Sequence, residues 1–410
     1  MEKILVVNAG SSSLKFQLIN MPEDETKEAP KVLIEGGFER IGIEEPSITY
    51  KFNQNGEKVK KTKALDIKTH ADAVDVLKDL LIEEGIISDL HEIKGIGHRY
   101  VNGGPEFTQT TVLDEEVLHK LEGTIDFAPV HNDAHIKGIK GFYSALPNVL
   151  QAIVFDTSFH QTMPDEAYRY AVPLYWYDDY KIRKYGAHGT SHQYVSMEAA
   201  KYVGEDLSKL KIVTAHIGNG ASLAAVKYGK CIDTSMGFTP LDGVVMGTRS
   251  GAVDPSILDL VAKYENKSVH ELIEVLNKKS GYLGFTNHSD ARDVRALQDA
   301  GDYNADLILR MQEKKIADYI SSYYGYMGGC DLLVFTAGIG EKSYQTRLHV
   351  CNRLKEAFGV IIDEEKNKEC FGTEAVISKP ESKIKVLVIP TNEELMIARE
   401  VMKYKKLLNR

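Results

Sequence analysis

Arginines and histidines stand beside glycine-rich segments at three places in the chain. Arg99 lies between Gly-Ile-Gly-His and Tyr-Val-Asn-Gly-Gly, His188 lies within Gly-Ala-His-Gly-Thr-Ser-His, and Arg249 lies within Met-Gly-Thr-Arg-Ser-Gly. A guanidinium can clamp a carboxylate or a phosphate through paired N–H donors, and a turn of small residues lets the backbone N–H groups approach an anion. The pattern therefore predicts a site that holds phosphate groups.

A small carboxylic acid is the acceptor that best explains this set of residues. A carboxylic acid titrates near pH ~4, so it is already an anion at neutral pH and its attack on a phosphate needs no general base. The protein must instead offset the repulsion between two anions, with cationic side chains, hydrogen-bond donors and a metal held by few protein ligands. We therefore expect Mg²⁺-dependent phosphoryl transfer between a nucleotide and a small acid.

Two strand-turn-strand segments are predicted to position these residues. Residues 4–8 are an apolar run, residues 9–13 read Ala-Gly-Ser-Ser-Ser, and residues 14–18 alternate between apolar and polar side chains. Residues 211–226 repeat this plan around Ile-Gly-Asn-Gly-Ala-Ser. Each segment is typical of a hairpin with a small-residue tip, and the repetition indicates an internal duplication.

The remaining elements predict an α/β architecture in two lobes, with the active site in the cleft between them. Mostly apolar runs at 331–335 and 384–389 predict strands. Apolar spacing near 3.6 residues predicts helices at 71–84, 115–122, 193–203, 255–264, 268–278, 303–324, 344–358 and 392–408.

Composition excludes several other classes of protein. The chain has 410 residues, enough for two domains, and a net charge of −9, which argues against nucleic-acid binding. No apolar stretch approaches the ~18–20 residues that span a bilayer, so no membrane association is expected. The four cysteines are widely spaced, which predicts free thiols and a cytoplasmic location rather than a disulfide framework or a zinc site.

Two common nucleotide-binding motifs are missing from the sequence. No segment fits the P-loop pattern, and Gly338-Ile-Gly340 lacks the third glycine of a dinucleotide fingerprint. That segment follows the predicted strand at 331–335, which favours a nucleotide-contacting turn of another kind.

The chain resembles the acetate kinase family, within the superfamily of acetate and sugar kinases, heat-shock chaperone ATPases and actin. The resemblance runs over nearly the whole length. The segments that carry it are NAGSSSLKF (8–16), GHRYVNGG (97–104), FDTSFHQTMP (155–164), YGAHGTSH (185–192), HIGNGAS (216–222), DTSMGFTPLDGVVMGTRSG (233–251), FTAGIGE (335–341) and PTNEELMIA (390–398).

The resemblance implies a two-lobed actin-like ATPase fold, built from duplicated ribonuclease-H-like domains with an interdomain cleft. The expected N-terminal lobe is 1–160 plus 394–410, and the expected C-terminal lobe, with the nucleotide site and the dimer interface, is 161–393. It also implies Mg²⁺, or Mn²⁺ in its place, with ATP and ADP as substrates, and a homodimer in the cytoplasm.

Roles for individual residues follow from the resemblance alone. Arg99 would bind the substrate carboxylate, Arg249 would bridge the carboxylate and the phosphoryl group, and His188 would donate to the phosphoryl oxygens in the transition state. Asp156 would orient an arginine or a metal-bound water. The metal would be held by Asn8 and Glu393. The acyl group would contact Val101, Val130, Ala187 and Pro240. The nucleotide would contact Ser13, Lys15, His216, Asn219, Gly220, Asp290, Arg292, Gly338, Ile339, Gly340 and Glu341.

The sequence departs from the family pattern at five positions. The family has Phe where this chain has Ala187 and Leu where it has Val130, and both changes would enlarge the acyl pocket unless a neighbouring side chain refills it. The other three departures are Asn102, Asp133 and Lys342.

Three alternatives remain open at this stage. The acid is acetate, or it is a longer acid such as propionate or butyrate, or the chain is an actin-like or chaperone-like ATPase without acyl chemistry. The presence of Arg99, His188 and Arg249 argues against the third alternative, because such ATPases need no carboxylate clamp. A sugar kinase would need an aspartate base, for which Asp156 is a weak candidate.

Overall fold

The computed structural model describes residues 1–408, apart from the side chains of residues 129 and 130, and the chain divides into two units. The first unit comprises Met1–Ser158 and Asn392–Arg410, and the second comprises Phe159–Thr391. Each boundary expected from the sequence lies two residues after the observed one, at 160 compared with 158 and at 394 compared with 392. One consequence is a correction, because Glu393 belongs to the first unit and not to the second.

An eight-stranded sheet forms the centre of the first unit. Its strand order is β5-β4-β3-β2-β1-β6-β8-β7. The strands are β1 Glu2–Gly10, β2 Ser13–Met21, β3 Lys31–Glu39, β4 Ser47–Gln54, β5 Glu57–Ala64, β6 Ile93–Tyr100, β7 Thr111–Val112 and β8 Gln151–Phe155, and the helices are α1 His70–Glu83, α2 Glu115–Glu122 and α3 Pro129–Ala145.

The second unit is built around a six-stranded sheet. Its strand order is β11-β10-β9-β12-β14-β13. The strands are β9 Lys211–Ile217, β10 Ala221–Lys227, β11 Lys230–Thr234, β12 Leu332–Thr336, β13 Ala375–Val376 and β14 Lys385–Val388. The helices are α4 Asp165–Tyr168, α5 Leu174–Asp178, α6 Gly189–Val203, α7 Ser256–Glu265, α8 Val269–Lys278, α9 Gly281–Thr286, α10 Ala291–Asp299, α11 Tyr303–Met327, α12 Ala337–Lys342, α13 Tyr344–Phe358 and α14 Glu364–Glu369.

The two sheets share one topology, which confirms the predicted duplication and the α/β class. The two matching sets are β3-β2-β1-β6-β8 and β11-β10-β9-β12-β14. In each set, the first three strands are antiparallel, each to the next, and the last two are parallel to β1 or β9. Each set therefore has the order third, second, first, fourth, fifth of a ribonuclease-H-like domain. The carboxyl ends of the parallel strands meet at one edge of each sheet, where α/β proteins commonly bind ligands.

The last helix, α15 Glu393–Leu408, returns the chain to the first unit. Its Ile397 and Val401 pack with Ile4 and Val154 against the sheet face opposite α1 and α3. The helix lies so close that a Cβ on Gly95 would be 2.6 Å from Val401 Cγ1. The glycines of the Gly-Ile-Gly segment in β6 thus allow the close approach of a helix.

Several local predictions need correction. The pair Asp254-Pro255 predicts an N-cap followed by the first helical residue, but the N-cap of α7 is Pro255, and Asp254 Oδ1 accepts from the Ser256 N–H at 2.8 Å. The Thr-Ser-His end of the His188 segment forms the first turn of α6 and not a loop. The polar neighbours of His135 in the sequence, Asn132 and Asp133, predict a surface position, but His135 is buried and its ring lies 5.6 Å from that of Tyr100. None of the helices among residues 1–408 has both the length and the apolar character needed to cross a membrane.

Candidate active site

The first hairpin places Asn8 and Lys15 opposite each other on β1 and β2. The two strands join through a tight turn, in which Gly10 pairs with Ser13. A Cβ on Gly10 would lie 2.5 Å from Ser13 Oγ, so any larger residue here would displace the Ser13 hydroxyl. Behind the turn, the buried His70 holds the Gly10 carbonyl with its Nε2 atom at 2.8 Å. The hairpin tip therefore has a fixed shape.

Arg99 and Asp156 form a two-point ion pair at the carboxyl edge of the first sheet. Arg99 lies near the end of β6 and Asp156 directly follows β8, the neighbouring parallel strand. The Arg99 Nη2 donates to Asp156 Oδ2 at 2.7 Å, and Nε donates to Oδ1 at 3.1 Å. The Asp156 charge, with a smaller contribution from Glu393, raises the pKa of Arg99. The Nη1 atom of Arg99 does not donate to Asp156 and can therefore donate to another anion.

A cavity of about 230 Å³ in the first unit brings Arg99 together with three other predicted residues. Its lining includes Asn8, Lys15, Arg99 and Glu393. Burial raises the pKa of Glu393 to about 7; the positive charge of Arg99 opposes the shift, and the negative charge of Asp156 adds to it. A carboxylate in such a position favours a cation, and Mg²⁺ characteristically binds through few protein oxygens and several waters. The oxygens of Asn8 and Glu393 therefore fit a divalent ion.

His188 begins α6 in the second unit and is held by a serine. Its φ of 55° lies in the left-handed region, where the chain turns into the helix. The Nδ1 atom lies 2.8 Å from Ser222 Oγ, and the ring stacks on that of His216 at 4.1 Å between centroids. His216 is fixed in a similar way, because its Nδ1 lies 2.8 Å from Ser191 Oγ. Two parallel imidazoles therefore stand beside the second hairpin.

The tip of the second hairpin brings Arg249 close to His188. A Cβ on Gly220 would lie 3.5 Å from His188 Nε2 and 3.7 Å from Arg249 Nη1. The Arg249 side chain is further held by the Pro240 carbonyl, which accepts from Nη1 at 3.3 Å. Burial lowers the pKa of Arg249, although an arginine stays charged at neutral pH. A cation and an imidazole thus face one small space above a glycine.

A second cavity, of about 810 Å³, lies at the carboxyl edge of the second sheet. It is bordered by the hairpin tip, by the beginning of α10 and by α12. The predicted nucleotide-contacting residues that line it are Asn219, Asp290, Arg292, Gly338 and Ile339. Asp290 caps α10 and also holds the exposed Arg292, whose Nη2 donates to Oδ2 at 2.6 Å. The volume suits a nucleoside.

Gly340 and Glu341, also predicted to contact the nucleotide, are not among the residues that line this cavity. The segment that contains them is the short helix α12 and not a turn. Glu341 Oε1 accepts from the backbone N–H of Ala337 at 2.8 Å and from that of Thr391 at 3.1 Å. Gly340 is buried, and its carbonyl accepts from Arg347 Nη1 at 2.9 Å. Both residues therefore support the cavity from behind.

The five departures from the family pattern have different surroundings. Ala187 is buried in the core of the second unit, with its carbonyl 2.8 Å from His160 Nε2. Asn102 is buried and accepts from the Gly104 N–H, whereas Asp133 pairs with Lys137 on the surface. The side chain of residue 130 lies outside the described part of the structure, so the prediction for Val130 stays a prediction. The other acyl residues are Val101 in the first unit and Pro240 in the second.

Lys342 lies at the border of the larger cavity. Its ammonium is 5.9 Å from the centroid of the Phe371 ring, in a cation–π arrangement, and both residues line the cavity. The Lys342 side chain is thus placed next to the predicted nucleoside.

Three residues of the site were not singled out from the sequence. Ser222, His192 and Gly247 read as ordinary members of their motifs, although each supports a predicted residue. A Cβ on Gly247 would collide with Asn219 Oδ1. The second histidine of the His-Gly-Thr-Ser-His segment is a usable signal, because it lies only four residues after His188.

Comparison with known proteins identifies the family to which the chain belongs. The acetokinase family model matches residues 3–399. An acetate kinase from Carboxydothermus hydrogenoformans is 50% identical over 402 residues, which cover 98% of each chain. The crystal structure of Porphyromonas gingivalis acetate kinase superposes with a TM-score of 0.91 at 43% identity, covering 98% of this chain and 99% of that one. A propionate kinase from Francisella tularensis superposes with a TM-score of 0.89 at 41% identity, covering 98% and 100%. The chain belongs to the acetokinase family.

Proposed function

We propose that this protein is an acetate kinase, which transfers a phosphoryl group reversibly from ATP to acetate and so forms acetyl phosphate and ADP. The observation that carries the proposal is the pair of His188 and Arg249 above Gly220. A cation and an imidazole around one small space suit a phosphoryl group in transfer, because its charge is spread over the equatorial oxygens. Family membership supports the same reaction.

The ion pair of Arg99 and Asp156 supports a carboxylate acceptor. Two of the three nitrogens of Arg99 are held by Asp156, which leaves the Nη1 end for the substrate carboxylate. Asp156 is buried and bound by a permanent cation, so it is poorly suited to remove a proton from a sugar hydroxyl. In the proposed reaction, Asp156 orients Arg99, Arg249 bridges acid and phosphate, and His188 donates to the phosphoryl oxygens.

Asn8 and Glu393 would hold Mg²⁺, or Mn²⁺ in its place, directly or through water. When bound, the ion neutralises charge on the phosphates of the nucleotide. The phosphates would contact Ser13 and Lys15 on the first hairpin. They would also contact His216, Asn219 and Gly220 at the second hairpin. The adenosine would occupy the cavity of about 810 Å³ bordered by Asp290, Arg292, Gly338 and Ile339.

Trapping the product with hydroxylamine tests the proposed reaction. Incubation of the full chain with ATP, Mg²⁺ and acetate is expected to give acetohydroxamate, because hydroxylamine attacks an acyl phosphate. Arg249→Leu should abolish the product, whereas Arg310→Leu, in an exposed pair with Asp306, should not. Hydrolysis of ATP without hydroxamate would contradict the proposal and favour an actin-like or chaperone-like ATPase.

A longer acid is a second candidate substrate, favoured by the small side chain of Ala187 and by the similarity to a propionate kinase. One methylene in a binding pocket changes the selectivity by about 10–200-fold. The test compares kcat/KM for acetate, propionate and butyrate in the wild type and in Ala187→Phe. If the alanine enlarges the pocket, the wild type prefers the longer acids and the variant shifts towards acetate. A strong preference of the wild type for acetate would refute this candidate.

We further propose a cytoplasmic homodimer. The four cysteines are free and buried, which suits a reducing compartment. No residue of helix α7 in the second unit is fully buried within the chain, and Leu260 and Tyr264 are exposed on it. A second copy of the chain would cover such a face. Light scattering of Leu260→Glu, compared with Lys263→Glu, should show dissociation only for the former.

A further inference from the structure

Four polar side chains form a continuous row behind His188 in the second unit. Ser222 Oγ lies 2.8 Å from His188 Nδ1 and also 2.8 Å from His192 Nε2. The other ring nitrogen of His192, Nδ1, lies 2.7 Å from Thr214 Oγ1. Thr214 and Ser222 project from the same face of the β9–β10 hairpin, against which α6 packs. Ser222, His192 and Thr214 are all buried.

The direction of proton donation along this row can be followed from Thr214. Its hydroxyl has one proton and two neighbouring acceptors, His192 Nδ1 at 2.7 Å and the Ala224 carbonyl at 3.5 Å. The separation of 2.7 Å from His192 Nδ1 gives a stronger hydrogen bond than the separation of 3.5 Å from the carbonyl. In the arrangement proposed here, Thr214 donates to His192 Nδ1, which is an acceptor.

The protons of His192 and Ser222 then follow by elimination. Burial, together with the neighbouring rings of His160 and His216, holds the pKa of His192 well below its usual value, so the ring is neutral and has one N–H. With Nδ1 accepting, this N–H is at Nε2 and donates to Ser222 Oγ. The Ser222 hydroxyl in turn donates its proton to His188 Nδ1.

We propose that Ser222 and His192 are positioning residues that hold His188 as the neutral tautomer protonated at Nε2, the nitrogen beside Gly220 and Arg249. The inference rests on the proposed function, in which His188 donates a hydrogen bond to the phosphoryl group. In this tautomer the donor faces the reaction space without any need to take up a proton first.

A neutral His188 also suits its surroundings. The Gly220 position brings Arg249 close to its Nε2 edge, and the parallel ring of His216 lies 4.1 Å from its own. A second positive charge there would be repelled by Arg249. A fixed neutral donor supplies the hydrogen bond without that electrostatic cost and without reorganisation during the reaction.

Nitrogen-15 NMR of the histidine-labelled full chain tests the tautomer directly. The His188 signals, assigned by their loss in His188→Gln, are expected to show a protonated Nε2 and an unprotonated Nδ1. In Ser222→Ala the two tautomers should exchange and the signals should move towards their average. A protonated Nδ1 in the wild type, or unchanged signals in Ser222→Ala, would overturn the proposal. This readout needs no substrate and stays interpretable if the proposed reaction fails.

Kinetics separate a positioning role from a merely structural one. Ser222→Ala should lower kcat about 10-fold, with KM for ATP and acetate changed less than about twofold. Ser196→Ala, which removes another buried serine hydroxyl of the second unit, should leave kcat unchanged. In a His188→Ala background, Ser222→Ala should have no further effect, because it acts through His188. An equal 10-fold loss in that background would refute the proposal.

Discussion

Of three glycines around the proposed phosphoryl site, two are constrained by neighbouring atoms and one is not. A Cβ on Gly247 would collide with Asn219 Oδ1, and one on Gly281, whose φ is 60°, would collide with the Met246 carbonyl. At Gly220 the neighbours are instead the two side chains that are proposed to hold the phosphoryl group. The space at Gly220 is therefore open to a methyl group sterically, but that methyl group would take the place of a reactant.

Gly220→Ala tests whether this space is used. The methyl group would make ordinary contacts of 3.5 Å with His188 and 3.7 Å with Arg249, so the fold should persist. We expect kcat to fall about 100-fold, because the phosphoryl group would be displaced from both donors. Gly325→Ala, whose Cβ would meet no atom within 4 Å, is the matched control. Activity near that of the wild type in Gly220→Ala would show that phosphate does not bind here.

Among single residues, those with charges were easier to predict than those that support them. Arg99 and Arg249 stand out beside glycines, and the structure gives each a fixed position. Ser222 and His192 act through contacts between α6 and the β9–β10 hairpin, which are distant in sequence. His135 was misplaced because its burial depends on the packing of α3 against Tyr100, which no local pattern reveals.

Helix α13 links the proposed nucleotide cavity to α14 through a buried arginine. Arg347 donates from Nη1 to the Gly340 carbonyl at 2.9 Å, from Nε to Asn367 Oδ1 at 2.7 Å, and from Nη2 to the Cys370 carbonyl at 2.9 Å. Because Gly340 lies in α12, the same guanidinium orders a helix that borders the cavity.

Arg347→Met should lower the free energy of unfolding by about 3 kcal/mol, because several buried acceptors would lose their donor. Arg353→Met removes an exposed arginine of the same helix and should change it by less than about 0.5 kcal/mol. Urea unfolding measures both values. Similar losses in the two variants would mean that the hydrogen bonds of Arg347 contribute little.

His98 in β6 couples the stability of the first unit to pH. It is buried, its Nε2 donates to Gln151 Oε1 at 2.8 Å, and burial lowers its pKa to about 4. Between pH 6.5 and 4 the unfolded chain binds a proton that the folded chain excludes. The stability contributed by the neutral ring is thus fully present above pH 6.5 and is lost as the pH falls towards 4.

At pH 5 the loss due to His98 should be about 2 kcal/mol relative to pH 7.5. His98→Gln should remove that part of the pH dependence, whereas His91→Gln, at an exposed position, should keep it. Urea midpoints measured from pH 7.5 to 5 give the two slopes. Equal slopes in His98→Gln and the wild type would contradict the lowered pKa.

Elements with a strong local pattern were predicted closely, and the others were missed. Helices α2 and α13 begin and end at the predicted residues, and both hairpins were found from an apolar run, a small-residue turn and a second strand. Helix α3 was missed because glycines interrupt it; a Cβ on Gly138 would lie 2.6 Å from Ala9 Cβ. The lysines of strand β5 give no apolar alternation, so the sequence of this segment predicts a solvated run of charges and not a strand.

At the level of the whole molecule, the predicted two-domain α/β organisation agrees with two sheets of one topology. The sequence-based boundaries place Glu393 in the second lobe, whereas the structure places it in the first unit. A helix near the end of a chain gives no local indication of which sheet it will cover. That choice depends on whether a complementary apolar face is left uncovered, as it is in the first unit.

The thiols provide a test of integrity for the second unit, which contains all four cysteines. All four cysteines are buried, and burial raises the pKa of Cys330 and of Cys351 to about 12. The native protein at pH 8 should therefore show almost no reaction with a thiol reagent within minutes, and the denatured protein should show four reactive thiols. Rapid labelling of the native protein would indicate that a core opens.

Helix α15 has a consequence for synthesis on the ribosome. Its Ile397 and Val401 cover a face of the sheet whose first strand, β1, emerges from the ribosome almost four hundred residues earlier. The second unit also needs a late strand, β14 at Lys385–Val388, but all of its residues lie in one continuous stretch of the chain. The first unit must wait with Ile4 and Val154 uncovered until the final helix arrives. A nascent chain is thus exposed to aggregation and to chaperone binding for most of its translation time.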